Sequence, residues 1–407
     1  MRSPATKAMV AGVGMTRFGK YSDRGLRSLA EEAVADALKD AGLEAKDVEA
    51  AFFSNAAAGL LTGQEMIRGQ VALRHTGVLG IPLFNVENAC ASASSAFHLA
   101  WMAVGSGMYD VVLAVGAEKM HTEDKTRAFR ATAAAIDLEQ FRGVTAGNGG
   151  AAAPGAGDKP NKSLFMDIYA SATREYMKLS GATAETFADV AVKSHAFAAL
   201  NPKAQYRERV TREQVLASRE ISPPLTLLMC SPIGDGAAAV VIVSERIARR
   251  LSPQQLVTIR GSVVLSGRDR APGEPSVASR SARLAYESSG IGPADVDVLE
   301  VHDAAAPAEL MAYEDIGFCE RGQAASRFNA GETQLGGRHV VNPSGGLLSK
   351  GHPVGATGIA QIYEIVEQLR GRAGARQVNG ARVGLTENGG GFLGADAAAM
   401  SVHIFSV

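Results

Sequence analysis

Cys90, His302 and His352 are the side chains of this 407-residue sequence whose surroundings could support covalent chemistry. Cys90 lies in "VENACASASSAFHLAWMAVGSG" (86–107). The extended stretch "IPLFNVENA" precedes it and small residues follow, which predicts a strand–turn–helix junction with the sulfur near a helix N-terminus. Unpaired N–H groups and the positive end of the helix dipole there favour thiolate over thiol. Ala91, Ser92, Ala93, Ser94 and Ser95 would let backbone or substrate come close. The pattern suits a nucleophile for acyl transfer. A buried structural cysteine is the alternative.

His352 lies in "VNPSGGLLSKGHPVGATGIAQI" (341–362), with glycine before it, proline after it and a small-residue helix start next. Facing Cys90, it could take the thiol proton as general base; otherwise it caps a surface loop. His302 ends a strand in "EVHDAAAPAEL" (300–310). A neutral imidazole there could donate to a developing oxyanion, or His302 and Asp303 could simply pair or cap the next helix. Gly389, Gly391 and Gly394 in "RVGLTENGGGFLGADAAAMSVHIF" (382–405) match G-x-G-x-x-G. The following residues alternate like a strand and leave no room for the later acidic ribose contact, so dinucleotide binding is rejected. A glycine loop between two strands, offering N–H groups to an anion, fits better. The eight histidines and three cysteines show no metal-ligand spacing, so no metal site is expected.

The elements that must position these residues alternate between helix and strand periods, an α/β pattern. "LRSLAEEAVADALKDAG" (26–42) is an amphipathic helix stopped by Gly42; "DVEAAFFSN" and "DVVLAVGAE" (110–118) read as strands. "AGLEAKDVEAAFFSNAAAG" (41–59) recurs weakly as "SGIGPADVDVLEVHDAAAP" (289–307), 248 residues later at Gly42 and Gly290. The small-residue helix starts near Cys90 and His352 recur at an offset of 262. A duplicated α/β half explains both and would set the two helix N-termini face to face. The expected division is 1–121 as the first half and 122–220 as an inserted loop domain over the active site. Residues 221–250 return to the first half, and 251–407 form the second. Residues 145–161 read as a Gly/Ala/Pro-rich loop.

Composition excludes several classes. With 41 basic and 42 acidic residues, nothing points to nucleic acid or an anionic membrane. No apolar run approaches the ~18 residues of a membrane helix. An odd number of scattered cysteines favours a reducing compartment, so the expected location is the cytoplasm.

Together the motifs resemble the thiolase superfamily. "NACASASSA" is similar to its nucleophile segment, "GGLLSKGHPVGATG" to its G-H-P segment, and "TENGGG" sits where many members have C-x-G-G-G. "SREISPPLTLLMCSPIGDGAAAVVIVSE" (218–245) extends the likeness, and "VHDAAAPAEL" points to the branch of the thiolase part of sterol carrier protein X. The resemblance implies duplicated halves in a five-layered α/β/α/β/α core and acyl transfer through a thioester. Cys90 would attack, His352 would activate it, and the N–H groups of Cys90 and a glycine in 389–391 would hold one oxyanion. His302, with a water, would stabilise the enolate. Coenzyme A would be a co-substrate beside Ser344, Gly345, Gly390 and Gly391, with no covalently bound cofactor. A homodimer or homotetramer is implied.

One departure changes the chemistry. The second cysteine of such enzymes falls in the C-x-G-G-G loop or after H-D, and here those positions are Glu387 and Ala304. Glu387 is the candidate acid/base in its place, or a structural acid beside the loop. Three readings follow: a thiolase-type acyltransferase; an aldolase or C-acyltransferase with a small zinc-ribbon/OB-fold partner subunit; and a non-catalytic acyl-CoA or lipid-binding module.

Overall fold

A computed structural model describes residues 6–139, 164–271 and 273–407. The glycine-rich stretch expected at 145–161 lies outside the described residues. Among those described, ten strands form one sheet. The first five are β1 (Ala8–Met15), β2 (Ala50–Ser54), β3 (Leu83–Val86), β4 (Val111–Lys119) and β5 (Asp235–Ser244). The next five are β6 (Val257–Ser266), β7 (Val298–Glu300), β8 (Val340–Val341), β9 (Val383–Leu393) and β10 (Asp396–Ser406).

The sheet order is β8-β7-β9-β10-β6-β1-β5-β4-β2-β3. Each half thus has the same order, and the same mixture of parallel and antiparallel pairs. Their strands join where Met9 and Val10 pair antiparallel with Thr258 and Val257. The repeat extends to turn chemistry. Helix α1 (Leu26–Ala41) ends at Gly42 with φ 66°, and its counterpart over Val277–Ser289 ends at Gly290 with φ 69°. After each, an aspartate caps a 3₁₀ turn at 2.8 Å: Asp47 accepts from the Glu44 N–H, and Asp295 from the Gly292 N–H. The helix starts near Cys90 and His352 require one correction. Helix α2 (Ser92–Gly105) and its counterpart over Thr357–Leu369 begin 265 residues apart, each behind a 3₁₀ turn (Ala89–Ala91 and Val354–Ala356). The repeat therefore sets Gly355, not His352, opposite Cys90.

Strand alternation explains the layers, because both faces of these sheets are covered. In β4, Val112 and Ala114 face an inner core, whereas Val111, Leu113 and Val115 face an outer one beneath α1. The inner core takes Phe97 and Ala100 from α2 and Ile359, Ile362 and Ile365 from the Thr357–Leu369 helix. It also takes strand residues from both halves, such as Val240 and Phe405. Two more helices, Val277–Ser289 and Ala306–Asp315, cover the far face of the second half with Ala282, Ala285 and Leu310. The result is five layers with two helices sandwiched at the centre. In chain order the further helices used below are α3 (Lys125–Ala133), α4 (Leu164–Ser180), α5 (Ala184–Ala198), α6 (Val277–Ser289), α7 (Ala306–Asp315) and α8 (Thr357–Leu369). No helix among the described residues is long and apolar enough to cross a membrane.

Candidate active site

The small residues around Cys90 exist because α2 and α8 nearly touch. A Cβ at Gly358 would lie 2.6 Å from the Ser94 backbone N, and one at Gly390 only 2.1 Å from the Asn88 carbonyl. The Ala89–Ala91 turn carries Cys90 to the wall of a cavity of about 830 Å³, with Ala89 at φ 48°. Folding brings together what the sequence separates. Cys90 Sγ and one ring nitrogen each of His302 and His352 all lie within 4.8 Å of one another. The two imidazoles sit nearly edge to face, 5.2 Å between centroids.

The expected thiolate is not the resting state. Burial pushes the Cys90 thiol up to about 12; a hydrogen bond from the Gly391 N–H opposes this, and the charge of Glu118 adds to it. Desolvation outweighs the helix N-terminus because water is excluded from the charged form. His352 is likewise driven well below its ordinary value by burial, then by His302 and Lys350. A neutral thiol therefore faces a neutral imidazole. The Thr357 hydroxyl donates to the Pro353 carbonyl at 3.0 Å, so its oxygen accepts from His352 Nδ1–H at 2.7 Å. The Nε2 lone pair is left free to take a proton.

Glu387 lines the same cavity although its residue is only 4% exposed. Its Oε2 accepts the His302 N–H at 2.8 Å. Burial raises this carboxyl from 4.5 to about 7, against that hydrogen bond. Glu118 is a second buried carboxylate, accepting from the N–H groups of Ala56 and Gly355 at 2.9 and 3.0 Å. It ties loops of the two halves together beside Cys90.

The family model described as "Thiolase, N-terminal domain" matches residues 8–220, and "Thiolase C-terminal domain-like" matches 268–403. The chain belongs to the thiolase family.

Its thiolase relatives differ in what they are named for. It is 41% identical to the acetyl-CoA acetyltransferase of Methanothermobacter thermautotrophicus, over 98% of each chain. It is 36% identical to the benzoylsuccinyl-CoA thiolase subunit BbsB of Thauera aromatica, over 95% of each. It is 37% identical to rat (Rattus norvegicus) sterol carrier protein 2 over 94% of this chain and 69% of that one. Among solved structures, the Ltp2-ChsH2(DUF35) aldolase matches with a TM-score of 0.79 and 29% identity over 98% of both chains.

The residues carried over from the thiolase motifs divide in two. Cys90, His302, His352, Glu387, Gly390 and Gly391 all line the cavity. Ser344 and Gly345 do not, and the expectation that they touch coenzyme A is withdrawn. Ser344 is fully buried, donating from N and Oγ to Glu300 at 3.1 and 2.6 Å, with its carbonyl accepting from Asn201. A Cβ on Gly345 would lie 2.5 Å from the Ala198 Cβ, so the glycine is there to pack α5. The glycines at 389–391 also correct an expectation: they are strand residues of β9 rather than an inter-strand loop, and the turn follows Leu393. Gly391 alone takes a positive φ, 65°, which turns its N–H toward the sulfur.

Several residues at or behind the cavity wall take roles that no motif signalled. Asn388 and Ser94 sit behind His302, the Ser94 hydroxyl donating to Asn388 Oδ1 at 2.6 Å. Tyr169 of α4 lines the cavity edge-on to Phe392, with Phe165 beside the same ring. Cys230 also reaches the cavity wall, pairing its backbone with Ala305, but its Sγ donates back to the Thr226 carbonyl. No metal site was expected from spacing, yet the Cys90–His302–His352 group is close enough to hold a soft divalent ion. Its ligands come from three separate loops, which no spacing rule surveys.

Proposed function

We propose that the chain is an acyltransferase of coenzyme A thioesters that cleaves 3-oxoacyl-CoA with CoA, or runs the reverse Claisen condensation. The observation that carries the reading is a thiol within 4.8 Å of two histidine nitrogens, in the wall of a cavity of about 830 Å³. In the cleaving direction Cys90 Sγ attacks the 3-oxo carbon and its proton passes to His352 Nε2. The C2–C3 bond then breaks and its electron pair becomes an enolate on the departing thioester. Glu387 protonates C2, being half protonated near neutral pH. CoA thiol, giving its proton to the Glu387 carboxylate, attacks the acyl-Cys90 thioester; the Cys90 sulfur leaves, takes back the proton from His352, and the shortened acyl-CoA is released. The N–H groups of Cys90 and Gly391, which meet the thiol sulfur in the resting site, would hold the acyl oxyanion. Coenzyme A acts as co-substrate, with its pantetheine arm along α3, α4 and the segment 219–233 that lines the cavity mouth. Within the segment 122–220, an insertion in the first half, α3 and α4 cover the site.

A second reading keeps the fold and makes the enzyme an aldolase or C-acyltransferase with a small partner subunit. The absence of a thiol at Ala304 and Glu387 favours it, as does similarity to the Ltp2-ChsH2(DUF35) aldolase. Acetoacetyl-CoA and CoA, with peptide mapping for an acyl adduct, separate the readings. Turnover with an adduct on Cys90 supports the first, and no adduct with any acyl-CoA removes it.

The chain is also proposed to dimerise through β3. This strand ends the sheet, its outer edge has no strand partner among the described residues, and Phe84 on it is 50% exposed. An exposed edge of this kind is a template on which a second copy can pair. Three free cysteines and balanced charge support a reducing, cytoplasmic setting.

A further inference from the structure

We propose that Asn388 is a positioning residue that holds His302 as the Nε2–H tautomer, so that the cavity has one imidazole that donates and one that accepts. The proposal rests on the acyl-transfer reading above and assigns how its two histidines are kept in different roles.

Asn388 is 1% exposed and lies between the halves. The Ser94 hydroxyl donates to Asn388 Oδ1 at 2.6 Å, which turns the amide nitrogen to His302 Nδ1 at 2.9 Å. An amide N–H only donates, so Nδ1 must accept. Burial holds His302 neutral, down at about 4. A neutral ring that accepts at Nδ1 carries its proton on Nε2. His352 has the opposite arrangement, because its Nδ1 meets a hydroxyl oxygen whose own proton is committed to Pro353. Two identical side chains, with ring centroids 5.2 Å apart, are thus distinguished by what stands behind each.

The device needs both halves of the molecule. Ser94 comes from α2 in the first half and Asn388 from β9 in the second. Gly358 at the start of α8 provides the space: a Cβ there would lie 1.9 Å from Ser94 Oγ and 3.0 Å from Asn388 Oδ1. With Nε2–H fixed, His302 donates to the thioester oxygen as the enolate forms. It does not compete with His352 for the Cys90 proton.

The test uses the whole enzyme labelled with ¹⁵N-histidine and reads ring tautomers by long-range ¹H–¹⁵N correlation. His302→Gln and His352→Gln assign the signals. The expected wild-type result is Nε2–H for His302 and Nδ1–H for His352. Asn388→Asp, which accepts where Asn388 donates, moves a proton onto His302 Nδ1, and Ser94→Ala leaves a mixture. With acetoacetyl-CoA and CoA as the probe, Asn388→Ala lowers kcat by about 10²- to 10³-fold, the effect of losing one oxyanion donor. KM stays within about threefold, as does the rate of Cys90 acylation by acetyl-CoA. A wild-type His302 protonated on Nδ1 overturns the proposal. So does an Asn388→Ala enzyme of normal kcat, or one that loses acylation and turnover equally. If the wild type neither acylates Cys90 nor turns over, the acyl-transfer reading fails, while the ¹⁵N spectrum still decides the tautomer.

Discussion

Replacing Glu387 by glutamine should make the protein more stable and remove the carbon–carbon step. The carboxyl is raised from 4.5 to about 7, chiefly because it is buried, with the Asp315 charge nearby and one N–H donor in opposition. A carboxyl that ionises less readily in the fold than in the unfolded chain binds more protons when native between those two values. Wild-type stability therefore falls as pH rises from about 4.5 to about 7, and this contribution is level above that. A shift of roughly 2.5 units at 1.36 kcal/mol each is about 3 kcal/mol. Glutamine keeps an oxygen for the His302 N–H and carries no charge, so it escapes this penalty. With about 2.1 cal/mol/K of unfolding entropy per residue over 407 residues, the gain is about 3 to 4 °C in Tm at pH 8. It vanishes near pH 4.5. The same variant acylates Cys90 at the wild-type rate but loses about 10²- to 10⁴-fold in turnover, the span of a general acid–base contribution. In the wild type, cleavage declines and condensation rises through pH 7. Paired melts at pH 4.5 and 8, with a pH–rate profile, give the readout. Equal Tm differences at both pH values, or a rate profile without an inflection near 7, would refute the reasoning.

Three further outcomes follow from the site. Alkylation of Cys90 by iodoacetamide accelerates steadily with pH through pH 9, since the thiol is pushed up to about 12; a plateau near pH 7 contradicts this. Thr357→Val removes the partner of His352 Nδ1 and lowers the rate of Cys90 acylation about 10- to 100-fold, as losses of orienting partners do; single-turnover acylation measures it, and an unchanged rate counts against His352 as the base. Phe84→Lys places a charge on the exposed edge strand and shifts the protein to a monomer by light scattering, whereas a retained dimer places the interface elsewhere.

Much of the fold was legible in the sequence because its signals are local. Gly42 and Gly290 mark helix ends through their left-handed backbone, and Asp47 and Asp295 mark the turns that follow. Repeated 248 residues apart, they announce a duplicated half before any contact is known. The Cys90 segment and the two histidines are legible for the same reason, each being a short motif at the start of a helix or the end of a strand. The offset of 262 misaligned the second pair of helix starts because small residues are interchangeable by composition, and only the two 3₁₀ turns set the register at 265.

What the sequence determined by itself was the set of elements, their doubling and the candidate side chains that line the cavity, since periodicity, caps and motif chemistry act within a few residues. Protonation was decided by the tertiary structure. A helix N-terminus argues for thiolate, but burial in the cavity wall overrides it, and burial is a sum over residues from every part of the chain. Ser344 and Gly345 look like ligand contacts in line with His352, yet Glu300 and Ala198 claim them in the core. Asn388 and Ser94 are 294 residues apart, so nothing short of the assembled halves could show that one hydroxyl and one amide stand behind His302.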